Sequence, residues 1–110
     1  MTFDAFDVVV VPFPFTERAA TKRRPALVIS SGRFNADHAQ VVLAMITSAV
    51  DTDWPSDTPI RDLKGAGLRA PSVVRLKVFT LDRRLVLRRI GRLGTKDKKA
   101  VRGAAETRLL

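Results

Sequence analysis

Apolar residues in this chain come in short runs cut by charged or proline-bearing segments, the spacing of strands rather than of long helices. The earliest run is DVVVVPFPF. Four consecutive valines favour a pleated strand, and Pro12 and Pro14 point to one side and end regular pairing near residue 12, which predicts a strand over residues 7 to 13. In PALVIS, Pro25 bars a helical conformation at Arg24 and can open a strand without needing its own ladder donor, so Arg24 falls at a loop-to-strand junction. SSGRFNADHAQ reads as a turn with room for one helical turn, and QVVLAMITS as a buried strand ending at Thr47 and Ser48.

Two prolines break DTDWPSDTP into a loop, after which TPIRDL resumes as a short edge strand. SVVRLKVF alternates, with Val73, Arg75 and Lys77 on one side and Val74, Leu76 and Val78 on the other, so one face of that strand should be wet. LVLRRIGRL begins with alternation and breaks it at Arg88 and Arg89, where a bulge would turn both arginines outward. Thr95 is placed to cap a terminal helix whose alanines, Val101 and Leu109 form an apolar side and which Gly103 weakens. The sum is five to seven short strands and one or two helices. That is a mainly β (α+β) chain, a small curled antiparallel sheet with a C-terminal helix, in one domain over residues 1–110.

Composition bears this out and narrows the chemistry. With 110 residues, 45% apolar and 28% charged, the chain holds enough apolar material for one core and too much for intrinsic disorder. No apolar stretch reaches the roughly 18 residues of a membrane span, and MTFDAFD lacks the order of a secretory signal, so a cytoplasmic protein is expected. The absence of cysteine removes disulfides, thiolate catalysis and the commonest zinc ligand. The net charge of +9 is lopsided: residues 1–55 carry five Lys/Arg against six Asp/Glu and residues 56–110 fifteen against five, leaving −1 and +10. A cationic half of that size attracts polyanions, with nucleic acid and an acidic protein as the leading partners.

Standard active-site patterns are missing. Asp51, Asp53 and Asp57 cluster in sequence, but Pro55 and Ser56 stand where a calcium loop needs a ligand and a glycine. His38, the single histidine, lies in a polar turn and is given no role. There is no phosphate-cradling glycine loop and no hydrolase triad pattern. What remains are cations and hydroxyls at strand ends: Lys22, Arg23 and Arg24 before the second strand, Thr47 and Ser48 after the third, and Arg75 within a wet face. Such groups suit a phosphodiester, since arginine offers a planar fork of donors to phosphate and a hydroxyl can position a proton. Structural accounts of the same residues stand beside this one: Arg24 paired with Asp7 or Glu17, Thr47 satisfying a strand end, and Arg75 laying its stem along the sheet. The arginines at 83, 84, 88, 89 and 92 fit RNA, an acidic tail or a solubilising face.

Four landmarks then occur in order, DVVVVPFPF, RRPALVIS, LAMITS, and SVVRLKVFTLD followed by LRRIGRL, across nearly the whole chain. Together they resemble the MazF/PemK toxins of bacterial toxin–antitoxin modules. The resemblance implies a small SH3-like antiparallel barrel, a homodimer, and a metal-independent, cofactor-free endoribonuclease that cleaves single-stranded RNA and is held by an acidic antitoxin. It implies Arg24 and Thr47 as the catalytic pair and Ser48 and Arg75 as positions that line the RNA site in some members; Thr16, Lys22 and Arg23 join them as RNA-binding candidates of this chain. A related toxin family uses the same architecture to poison DNA gyrase without nuclease activity, which is the rival reading. Two positions depart from the family pattern: Phe6 replaces the glycine common before the first strand's aspartate, and Lys77 stands where some members carry an acid.

Overall fold

The valine run forms strand β1 (Asp7–Pro12), and its lack of alternation has a structural cause. Both faces of the strand are covered. Val9 and Val11 belong to one apolar cluster with Ala26, Val28, Val41, Leu43 and Phe79, whereas Val8 points the opposite way into a second with Leu27, Ala44, Val74, Leu93 and Val101. A strand buried on two sides reads as a continuous apolar run. The structure is a computed structural model that describes residues 2–12, 22–50 and 54–110.

The remaining elements are β2 (Arg23–Val28), α1 (Gly32–His38), β3 (Gln40–Ser48), β4 (Thr58–Pro59), β5 (Ser72–Asp82), β6 (Arg88–Arg92) and α2 (Thr95–Arg108). All strand pairings are antiparallel, and the sheet runs β4-β5-β3-β2-β1-β6. This is the antiparallel sheet with a C-terminal helix that the strand pattern predicts, folded as a half-barrel. Val101 of α2, Ile60, Ala66 and Leu93 close one face of the sheet; Phe3 and Val86 close the other. No helix among the described residues is long and apolar enough to cross a membrane.

Several local expectations are corrected. The second strand begins at Arg23, so Arg24 lies inside it rather than at its entrance. The turn after it is a full helix, α1, capped by the Ser31 hydroxyl, which accepts from the Phe34 amide, and ended by Ala39 in a left-handed conformation. The third strand matches its predicted span, but TPIRDL yields only the two-residue β4.

In β5 the even alternation fails. Ala44 pairs with Val78 and Met45 with Arg75, which leaves Leu76 and Lys77 as a bulge, and Val73 and Val74 are both buried. The face carrying Arg75 is therefore not a wet one. Arg88 and Arg89 are both exposed as expected, yet the bulged residue of β6 is Ile90, because Val8 pairs with Gly91 and Val9 with Arg89. Gly91 is needed there: a Cβ would sit 2.5 Å from the Gly65 carbonyl oxygen of the loop that packs on this edge.

Thr95 is the first residue of α2, with Gly94 as the cap residue and no side-chain cap bond. The side chain that ties the helix start down is Asp97, buried, which accepts from the amides of Arg61 and Asp62 at 2.9 to 3.1 Å. Leu109 is exposed, so Val101 is the buried apolar anchor of the helix. Phe6, in the place of the expected glycine, keeps a glycine-like φ of 73°. Its ring packs on the second apolar cluster and beneath the Arg102 guanidinium, 5.2 Å from the ring centroid, contacts that offset the backbone strain.

Candidate active site

The site is built where two neighbouring strands part. β2 and β3 pair through Val28 with Leu43, Leu27 with Ala44 and Ala26 with Met45, and there the ladder stops. Both strands continue beyond that point. β2 goes on against β1, Arg24 opposite Val11 and Arg23 opposite Pro12, while β3 goes on against β5, Thr47 opposite Val73. The sheet is forked, with Arg24 on one branch and Thr47 on the other.

Pro25 explains the fork. Odd-numbered residues of β2 turn their amides toward β3, as Ile29 shows by donating to the Val42 carbonyl at 2.9 Å just past the strand end. Continued by the same register, position 25 would donate to Ile46, but a proline has no N–H to give. The ladder ends at that residue.

Arg24 and Thr47 each lie two residues past the final pair, Ala26 and Met45, so their side chains leave on one face of the sheet. Both are half-buried, and the Nε of Arg24 is itself buried. That burial holds the guanidinium stem at the end of the core beside Val11. Asp7 does not lie near Arg24: it sits four residues along β1 from Val11, ~13 Å away at strand rise. Its buried carboxylate instead accepts from Arg92 at 2.7 Å, Arg89 at 3.4 Å and the Asp4 amide at 2.9 Å. Two of the five cations read as a basic face are therefore partly structural, and Arg84 is a third, paired with Asp82 at 3.0 Å. Hydrogen bonds from the Arg84 side chain, and then from its amide, hold the Asp82 carboxyl below its ordinary value.

Arg75 reaches the same face by register, since it pairs with Met45 and Thr47 is two residues along; side chains so related lie roughly 7 Å apart at Cβ. Its guanidinium donates to both oxygens of Asp57, from Nε at 3.0 Å and from Nη2 at 2.8 Å. The pair is well covered, with 13% of the Arg75 side chain and 5% of the Asp57 side chain exposed. Trp54 lies over the guanidinium, 5.6 Å from ring centroid to Cζ.

The fold thus gathers some of the candidate residues and scatters others. Arg24, Thr47 and Arg75 share a face; Arg23 and Ser48, as chain neighbours of Arg24 and Thr47, project to the opposite one and are exposed. Lys22 is exposed just before β2, and Thr16 lies outside the described residues, as do Asp51, Asp53 and Glu17. Among the described residues no group of three His, Asp or Glu side chains could hold a metal ion. Asp57 and Trp54 were not singled out beforehand as partners of Arg75. The signal that could have found them is WPSD, a β-turn sequence with proline at its second position, closed by the Asp57 amide donating to the Trp54 carbonyl at 3.0 Å.

The sequence profile described as the PemK-like, MazF-like toxin of type II toxin-antitoxin systems matches residues 4–107. No curated protein sequence matches the chain significantly. Among solved structures, a MazE-MazF structure from Deinococcus radiodurans superposes with a TM-score of 0.76 at 23% identity, covering 97% of this chain and 96% of the other. The Mycobacterium tuberculosis toxin MazF-mt6 superposes with a TM-score of 0.71 at 23% identity, covering 92% and 93%. An endoribonuclease in complex with its cognate antitoxin, from a mycobacterial species, does so with a TM-score of 0.72 at 15% identity, covering 96% and 91%.

Proposed function

Because this chain belongs to the PemK-like, MazF-like toxins of type II toxin-antitoxin systems, we propose that it is an endoribonuclease that cuts single-stranded RNA at the fork between β2 and β3. The observation that carries this reading is the emergence of Arg24 and Thr47 on one face from two strands that have just separated. A fold neighbour described as an endoribonuclease supports the reaction class.

The chemistry asks little of the protein. The ribose 2′-hydroxyl gives up its proton to solvent as its oxygen bonds to the adjacent phosphorus, the P–O bond to the next nucleotide's 5′-oxygen breaks, and that oxygen takes a proton from solvent. The products are a 2′,3′-cyclic phosphate and a 5′-hydroxyl. Arg24 holds the phosphate oxygens as negative charge accumulates on them, with a stem already fixed by burial, so little reorganisation is required during reaction. It acts as an electrostatic clamp rather than as a proton donor. Thr47 orients the attacking or the departing oxygen from the opposite branch. Lys22 and the exposed cations of the basic half attract the strand, and Arg23 and Ser48 are assigned to its flanks rather than to the reacting phosphate.

The protein acts in the cytoplasm as a homodimer and is neutralised by an acidic antitoxin that competes with RNA. Fold neighbours solved as MazE-MazF and as an endoribonuclease with its cognate antitoxin support that partner. The test is incubation of the purified chain with single-stranded RNA in excess EDTA, followed by end-group analysis. Cleavage leaving cyclic-phosphate and 5′-hydroxyl ends is the expected result, and loss of cleavage on chelation would overturn the metal-free mechanism.

A further inference from the structure

We propose that Trp54, propped on the Arg75 guanidinium, is the stacking platform for one unpaired base of the bound RNA strand, set beside Thr47. The inference deepens the endoribonuclease reading and rests on it for the identity of the strand.

Its basis is the way three side chains constrain one another. Trp54 and Asp57 are the first and last residues of one β-turn, joined by the Asp57 amide and the Trp54 carbonyl at 3.0 Å. From that turn both reach Arg75: Asp57 takes two hydrogen bonds at its edge and Trp54 lies on its face. A guanidinium held in this way is committed to its neighbours and serves as a shelf rather than as a phosphate clamp. The indole has one face over the shelf and is still 40% exposed, which leaves ring area presented to solvent.

A flat, rigid ring on a cationic support is the receptor that single-stranded bases use, because every base has a π-face and needs no particular hydrogen-bond pattern to stack. Its place fits the strand. Arg75 pairs with Met45, two residues from Thr47 on the same face, so a base on Trp54 belongs to a nucleotide next to the phosphate held between Arg24 and Thr47. Arg75 and Asp57 are positioning residues in this arrangement, acting through Trp54.

The experiment uses the single tryptophan and the absence of tyrosine, which make indole emission a report on Trp54 alone. A random-sequence 2′-O-methyl RNA, which lacks the attacking hydroxyl and survives, is titrated into the full chain while emission is recorded and Kd is read independently from anisotropy of the labelled RNA. Saturable quenching with a midpoint at that Kd is expected. Trp54→Ala should weaken Kd at least about fivefold, the lower end of the loss of one stacked base, and Trp54→Phe by less than about threefold. A fully abasic 2′-O-methyl backbone should bind wild type and Trp54→Ala alike and quench neither.

Unchanged emission at saturation, equal Kd for a folded Trp54→Ala, or no binding at all would overturn the platform. Should Trp54→Ala fail to fold, quenching of wild type by the base-bearing RNA but not by the abasic backbone decides the matter. The two readings fail separately: saturable, base-dependent quenching by a chain that never cleaves natural RNA would leave the platform standing and remove the endoribonuclease.

Discussion

Arg24 and Thr47 each stand two residues beyond Ala26 and Met45, the last pair that joins their strands, and so leave one face of the sheet on opposite branches of a fork. An electrostatic clamp and a hydroxyl so placed should be separable by mutation. Arg24→Ala is expected to slow single-turnover RNA cleavage by roughly 10²- to 10³-fold, the scale of losing one charge-stabilising group. Thr47→Ala should cost roughly 10²-fold through misplacement, and Thr47→Ser should recover most of that. All three variants are expected to keep the wild-type circular dichroism spectrum. Wild-type rates in a folded Arg24→Ala protein would remove the fork as the reaction centre.

Pro25 offers a test of the fork itself. Pro25→Val supplies the missing amide toward Ile46 in a residue suited to strands, so the ladder should extend and the branches draw together. The melting temperature is expected to hold or rise while cleavage falls by roughly tenfold or more, since misplacement of about 1 Å can cost up to 10²-fold. Amide hydrogen exchange reports whether position 25 becomes protected. Protection without loss of activity would show that the separation of the strands is irrelevant to catalysis.

The Arg75–Asp57 pair predicts a stability effect larger than a surface ion pair gives. Asp57→Ala removes both hydrogen bonds that this carboxylate takes from a covered guanidinium and should cost roughly 3 kcal/mol, the lower end for breaking a buried pair because Arg75 keeps an exposed edge and Trp54 against it. Urea unfolding measures this. The double variant Asp57→Leu/Arg75→Leu should regain much of the stability, because no charge is then left uncompensated. A loss below about 0.5 kcal/mol for Asp57→Ala would mean that the pair is effectively solvated.

Gly103 lies within α2, exposed, with no atom within 4 Å of where a Cβ would be. Gly103→Ala should therefore stabilise the protein by about 1 kcal/mol, through reduced freedom of the unfolded chain and better helix propensity. Chemical denaturation should show a higher midpoint at unchanged slope. RNA cleavage should not change, because nothing of the fork touches this residue.

What the sequence by itself determined is the local grammar. Runs such as DVVVVP and QVVLAMITS specify strands because β-branched residues bounded by prolines and polar turns leave few other states, and the span of β3 was legible to the residue. The cation-rich approach to Pro25 and the TS pair at the end of β3 likewise marked the candidate site, since charges and hydroxyls at strand ends stand out from an apolar background.

Register was decided only by the tertiary structure. Which residue faces which, and what covers each face, depends on pairings across tens of positions. So the alternation of SVVRLKVF promised a wet Arg75, whereas Val73 on the same face is buried and the turn at Trp54 delivers a covered Arg75 bound to Asp57. Likewise Arg23 and Arg24 read alike in the sequence, and only the pleat sends one to the fork and the other to the far side. Non-local pairing carries that information, and no window of neighbouring residues contains it.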